Sequence, residues 1–281
     1  MKKKLPTIVL CILFLVGLTL LLYPSVSDYW NSMHASKAVA DYSAQVYNLN
    51  EEEYDEMLAD AQSYNKKLAE GNTKYSLSDE EEEEYNSLLN LDGSGIMGYI
   101  EIPAIDVTLP IYHGTSDEVL QIAVGHLEWS SLPVGGTGSH CVLSGHRGLP
   151  SAKLFTNLDK LVEGDTFILR VLDEVYTYEV DQIRIVEPDE VNELTIEEGK
   201  DYCTLVTCTP YGINTHRLLV RGHRIENVES SEEIRVTSDA IKIDPLIVAP
   251  ILAVPILLLL FILLMLPNPK KSGSKKNRSE K

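Results

Sequence analysis

Thr204-Leu205-Val206-Thr207-Cys208-Thr209-Pro210 is a run of β-branched and apolar residues stopped by a proline, with Gly212 two residues further on. Such a run reads as a buried strand. The stop puts Cys208 at the strand's last residue, where a side chain can face an open end of a barrel. Outward from it the same texture fills residues 96–226. Short alternating or β-branched runs recur at 99–102, 107–112, 141–144, 166–171, 175–185, 202–208 and 217–220. Twelve Gly and six Pro in that stretch mark the breaks between them. Seven or more short strands in so little chain predict a closed barrel or a sandwich.

The flanks of this region differ in kind. Residues 24–95 hold three Gly and one Pro, with long acidic runs. Tyr54, Met57, Leu58, Ala61, Tyr64 and Leu68 recur at three- and four-residue steps, which is one apolar face of a helix. Asn50 followed by Glu53, and Ser78 followed by Glu81, read as capped helix starts. The expectation is an acidic helical arm that packs one stripe on its neighbour. Glu80 to Glu84 read as a solvated helix face, because five adjacent carboxylates point all round a helix and do not converge on a metal.

At the ends lie two longer apolar runs. Residues 5–23 carry no charge and follow Lys2, Lys3 and Lys4; residues 246–266 precede a tail with Lys270, Lys271, Lys275, Lys276, Arg278 and Lys281. At about 1.5 Å per residue each spans a hydrocarbon core of roughly 30 Å. Basic residues mark the cytoplasmic flank, so both termini are expected inside and residues 24–245 outside. The first run is read as an uncleaved anchor, the alternative being a cleaved signal segment. Residues 227–245 form the tether back to the membrane, and 267–281 a basic cytoplasmic tail.

The 281 residues carry a formal net charge of −18, and 44% are hydrophobic. A surface this acidic repels a phosphate backbone, so nucleic acid is excluded as a partner. No Gly-rich phosphate loop, Cys-x-x-Cys or His-Glu-x-x-His spacing occurs, and neither a cofactor nor a metal is expected. Outside the first apolar run the cysteines are Cys141, Cys203 and Cys208. An odd number leaves at least one external thiol over.

A free thiol of pKa about 8.5 is only a few per cent thiolate at neutral pH, so attack on a carbonyl needs a basic or positive neighbour. His146 is the best candidate, in Leu143-Ser144-Gly145-His146-Arg147-Gly148, again directly after a short apolar strand. Arg217 opens the strand after Cys208. A loop over 209–216 that folds back returns its guanidinium to the thiol, where it can donate to a developing oxyanion.

These residues resemble a known family. TLVTC (204–208), LSGHRG (143–148) and the downstream Arg217 are similar to the sortases, membrane-tethered cysteine transpeptidases of Gram-positive bacteria. GYIEIPAIDVTLPIYHG (98–114), AVGHLEWSSLPVGG (123–136) and LSGHRGLPSAKLFTNLDKL (143–161) extend the likeness across 96–226. A second membrane span at the C-terminus is similar to class C, the pilin-polymerising sortases. The resemblance implies a mainly β fold, a sortase-type eight-stranded barrel with an N-terminal helical arm and a transmembrane helix at each end. It implies that Cys208 attacks the Thr-Gly carbonyl of a Leu-Pro-x-Thr-Gly-like signal, with His146 as acid-base group and Arg217 holding substrate and oxyanion. An amine, for class C a pilin Lys, then resolves the thioester.

The sequence departs from many class C relatives in one respect. They carry a lid with an Asp-Pro-aromatic motif, whereas here no Pro lies between Pro24 and Pro103, so Cys208 is expected to be less occluded. Arg221 and Arg147 are alternatives to Arg217. His126 reads as a fold-internal hydrogen-bonding residue, and His216 and His223 as solvent-facing. Cys141 and Cys203 precede the two site residues by an odd step of five, so they are expected side by side on the opposite face, as core thiols or, alternatively, as a disulfide. Rival functions are attachment of surface proteins to peptidoglycan, a cysteine hydrolase, and a silent anchored scaffold that holds a pilin.

Overall fold

The computed structural model describes residues 5–71, 75–227 and 253–257. Two compact units divide the chain, one from Met1–Ser25 with Thr237–Lys281 and the other from Val26–Val236. The expected second span (246–266), the tether from residue 228 onward and the basic tail lie outside the described residues, apart from the helical segment 253–257. Helix α1 (Leu5–Tyr47) is long and apolar enough near the N-terminus to cross a membrane. It runs through Pro24 without a break, so no change of secondary structure marks the expected start of the arm.

In the second unit eight strands close a barrel. They are β1 (Ile96–Ile102), β2 (Val107–His113), β3 (Val124–His126), β4 (Ser139–Ser144), β5 (Thr166–Val171), β6 (Glu174–Val186), β7 (Asp201–Thr209) and β8 (His216–Arg224). Around the barrel the order is β1-β2-β3-β4-β7-β8-β6-β5, and β5 pairs back to β1. All junctions are antiparallel except β2–β3 and β4–β7, which are parallel and need crossovers. The chain between β4 and β7 meets this need by building the β5–β6 hairpin on the far side.

Alternation along the strands separates an interior from an outer face. Met97, Ile100, Leu143, Phe167, Tyr178, Cys203, Leu205 and Val220 share the interior core cluster. Each such fully buried apolar side chain contributes about 1.5–3 kcal/mol. Space inside is tight enough that Gly222 of β8 accepts no larger residue, since a Cβ there would sit 2.7 Å from the Phe167 ring. A second, smaller cluster of Val142, Val186, Leu194, Val206 and Leu219 forms on the outer face of β4, β7, β8 and β6.

The helical arm packs against the barrel's core and, from Val26 on, is part of the same unit. Helix α2 (Glu51–Glu70) and helix α3 (Asp79–Ser87) both start with the expected capping boxes, at Asn50/Glu53 and Ser78/Glu81. Ala61 and Tyr64 bury completely or nearly so, while Tyr54, Met57, Leu58 and Leu68 pack against the core. Asn65 is buried on the same face, where its side chain exchanges hydrogen bonds with both the N–H and the carbonyl of Leu132, at 2.7 and 3.0 Å. Tyr85 of α3 donates toward His126 Nδ1 at 3.0 Å or its carbonyl, and accepts from the Gly114 N–H at 3.0 Å. The C-terminal half of α1 joins them: the Tyr42 hydroxyl donates to the Met97 carbonyl at 3.1 Å and accepts from the Leu172 N–H at 2.8 Å.

Candidate active site

Strand β7 runs one residue past the expected stop, so Cys208 is its penultimate residue, with Thr209 following it in the ladder. The thiol also faces elsewhere than expected. Cys208 has the parity of Val206, whose side chain belongs to the outer apolar cluster, and not that of Cys203 and Leu205 in the interior. Cys208 therefore lies on the outer face of the sheet and not toward the barrel interior. It is a free, half-buried thiol.

On one side of Cys208 stands β8. The antiparallel ladder pairs Cys208 directly with Arg217, as Val206 pairs with Leu219. Direct partners in such a ladder share a face, with Cα atoms about 4.5–5.5 Å apart. The Arg217 guanidinium donates to the carbonyls of His216 at 3.2 Å and Asn214 at 3.5 Å, and makes no ion pair among the described residues. Its Nε and Nη2 make no hydrogen bond among the described residues.

On the other side stands β4, parallel to β7 with a constant offset of 62 residues, from Ser139 with Asp201 to Ser144 with Val206. The offset continues past the end of β4. The Gly145 N–H donates to the Val206 carbonyl at 3.0 Å, the Thr207 hydroxyl donates to the Gly145 carbonyl at 2.7 Å, and Arg147 Nη1 donates to the Thr209 hydroxyl at 3.4 Å. In that register the residue opposite Cys208 is His146, which is half-buried. Gly145 lets the chain pass: a Cβ there would lie 2.6 Å from the Phe155 ring. Phe155 in turn donates its N–H to the His146 carbonyl at 3.1 Å.

The two alternative arginines are engaged elsewhere. Arg221 forks onto Asp181 with two 3.0 Å bonds and stacks over the Tyr202 ring at 4.2 Å. Arg147 is a buried side chain paired with Asp159 at 2.5 Å. His126 is fully buried between Tyr85 and the Ser131 carbonyl, as expected of a fold residue. His216 and His223 are partly exposed beside Glu187 and Asp181. Cys141 and Cys203 are direct partners in the β4–β7 ladder, both buried and both free thiols, and burial pushes the Cys203 thiol well above its ordinary range. The expected side-by-side placement on the opposite face is what the register produces; the alternative disulfide is not formed.

His140, which no sequence signal singled out, is buried beside this strand pair. Its ring bridges the Thr195 carbonyl at 2.8 Å and the Thr204 hydroxyl at 2.7 Å, tying the β6–β7 connection to the sheet. Burial pushes its pKa down to about 4, so it is neutral in the fold.

Comparison with known proteins places this geometry in a family. The sortase domain family matches residues 100–225. The crystal structure of sortase C1 from Streptococcus agalactiae is 54% identical, with a TM-score of 0.67, covering 68% of this chain and 99% of that one. The structure of Clostridium perfringens sortase C with the C-terminal cell wall sorting motif is 47% identical, with a TM-score of 0.61, covering 68% of this chain and 100% of that one. Sortase D of Bacillus subtilis is 33% identical over 131 residues, which are 46% of this chain and 63% of that protein, so the match spans less than two thirds of its length. With an eight-stranded closed barrel and solved neighbours of class C, the chain belongs to the sortase family of cysteine transpeptidases.

Proposed function

We propose that this protein is a class C sortase that joins pilin subunits at the outer face of a Gram-positive cell membrane. The observation that carries the reading is the direct pairing of Cys208 with Arg217 on β8, and the reading is supported by the β4–β7 register, which when continued two residues past Ser144 sets His146 opposite Cys208. In this reading the Cys208 thiolate attacks the Thr-Gly carbonyl of a Leu-Pro-x-Thr-Gly-like signal. The Arg217 guanidinium donates to the carbonyl oxygen as it becomes an oxyanion. His146 gives a proton to the departing amine, the C–N bond breaks, and a thioester remains on Cys208. A pilin Lys amine then attacks the thioester, losing a proton to His146, and the new amide releases the thiolate. One amide is exchanged for another, so no ATP is required.

The apolar start of α1 after Lys2, Lys3 and Lys4 supports an anchored enzyme with a cytoplasmic N-terminus, and the basic tail supports the same side for the C-terminus. The domain reading that follows is an anchor (1–23), an arm (24–95), a catalytic barrel (96–226), a tether (227–245), a second span (246–266) and a tail (267–281). The neighbour solved with a sorting motif supports the substrate class.

Mass spectrometry of the protein mixed with a sorting-signal peptide and a pilin-derived Lys peptide tests this. A thioester on Cys208 and an isopeptide product support the reading. A product linked only to a peptidoglycan amine, or only hydrolysis, would redirect it to cell-wall attachment or to a hydrolase. Turnover that survives Cys208→Ala would end it.

A further inference from the structure

We infer that Arg147 is a positioning residue that holds His146 level with Cys208; the inference rests on the functional reading above. Regular β4 pairing stops at Ser144, two residues before His146, so the sheet itself does not fix the imidazole. Beyond that point the 62-residue register is carried by the Gly145 backbone and its bond from Thr207, and then by Arg147 reaching Thr209. Gly145 precedes His146 and Arg147 follows it; Thr207 precedes Cys208 and Thr209 follows it. The histidine and the thiol are thus bracketed by two side-chain links, and Arg147 supplies the outer one.

The far end of the guanidinium is held as well. Arg147 Nη2 binds Asp159, just past the loop that follows His146, and the Arg147 Cζ lies 5.8 Å from the centroid of the Tyr211 ring in the β7–β8 loop. The side chain is 8% exposed, and its Nε finds no hydrogen-bond partner among the described residues. A buried guanidinium with an unmet donor is a poor source of stability, and an apolar residue of the same volume would serve the core as well or better. What an apolar residue cannot do is fasten three separate segments, at Thr209, Asp159 and the chain next to His146, in one fixed geometry. Burial also removes Arg147 as a direct substrate ligand, since both terminal nitrogens are engaged inside the fold.

The experiment uses the whole chain in detergent, comparing wild type, Arg147→Met, Cys208→Ala and His146→Ala. Two readouts are taken: kcat and KM for sorting-signal peptide with an amine acceptor, and the pH dependence of iodoacetamide alkylation mapped to Cys208. Arg147→Met is expected to lower kcat about 10- to 100-fold with KM within about twofold, as misplacement of a reacting group does. Its alkylation curve is expected to move toward that of His146→Ala, which a purely structural defect would not produce in the folded fraction. Unchanged kcat and an unchanged curve in folded Arg147→Met would overturn the inference while leaving the catalytic reading intact. Retained turnover in Cys208→Ala or His146→Ala would instead overturn the catalytic reading. Should Arg147→Met fail to fold, Asp159→Ala frees the outer end of the same link from an exposed position; a displaced curve there supports the inference and an unmoved one overturns it.

Discussion

Cys208 and Arg217 are direct cross-strand partners one pair from the loop that joins β7 to β8, nine residues apart in sequence and on one face of the sheet. The connection between the two strands is six residues long, Pro210 to Thr215, so the pairing that brings the two side chains together is local in sequence. Four residues along the same strand, Arg221 has the same parity but is locked to Asp181.

This contrast gives opposite expectations for two arginines. Arg217→Ala should lower kcat/KM by about 10²–10³-fold, the usual cost of losing an oxyanion donor, with an unchanged melting temperature. Arg221→Ala should cost about 2 kcal/mol of stability by leaving Asp181 without its forked partner, with activity per folded molecule retained. Steady-state kinetics alongside thermal melts of both variants check the pair of outcomes; loss of activity from Arg221→Ala alone would reverse the assignment.

His140 makes the fold sensitive to acid. Its pKa lies near 4 in the fold against about 6.5 in an unfolded chain, so the unfolded state binds more protons between those values. The neutral ring's contribution is fully present above about pH 6.5 and is lost as pH falls toward 4. The shift corresponds to about 3 kcal/mol at most. Denaturant unfolding of wild type and His140→Gln from pH 7 to 4.5 should show a shallower acid loss in the variant.

The segment after His146 is also tied to α1. Asp28 accepts from the Lys153 N–H at 2.9 Å, and the Asn31 amide donates to the Ser151 carbonyl at 2.9 Å. Removing either side chain should cost about 1 kcal/mol. In Asp28→Ala/Asn31→Ala the amides of Lys153 and Phe155 should exchange hydrogen faster while those of β7 keep their protection, which hydrogen exchange read by mass spectrometry resolves.

How much of this was legible beforehand follows from which interactions are local. Seven of the eight strands were readable, because alternation and β-branching are properties of a short window. β3 was not: three residues, Val124–His126, hold too little pattern, and its place between β2 and β4 comes from pairing on both sides. The two capping boxes and the apolar stripe of α2 were readable for the same reason as the other strands. Asn65 on that stripe was not, since its partner at Leu132 lies 67 residues away.

The chain's own order of residues determined the long apolar helix near the N-terminus, the strand that carries Cys208, the strand that leads to His146 and the return that carries Arg217, since each is written in neighbouring side chains. Only the tertiary structure decided that the thiol lies on the outer face of the sheet and which of three arginines is left without a carboxylate partner among the described residues. Those outcomes depend on barrel closure and on carboxylates such as Asp159 and Asp181, 12 and 40 residues from the arginines they occupy, and no local pattern encodes such partners.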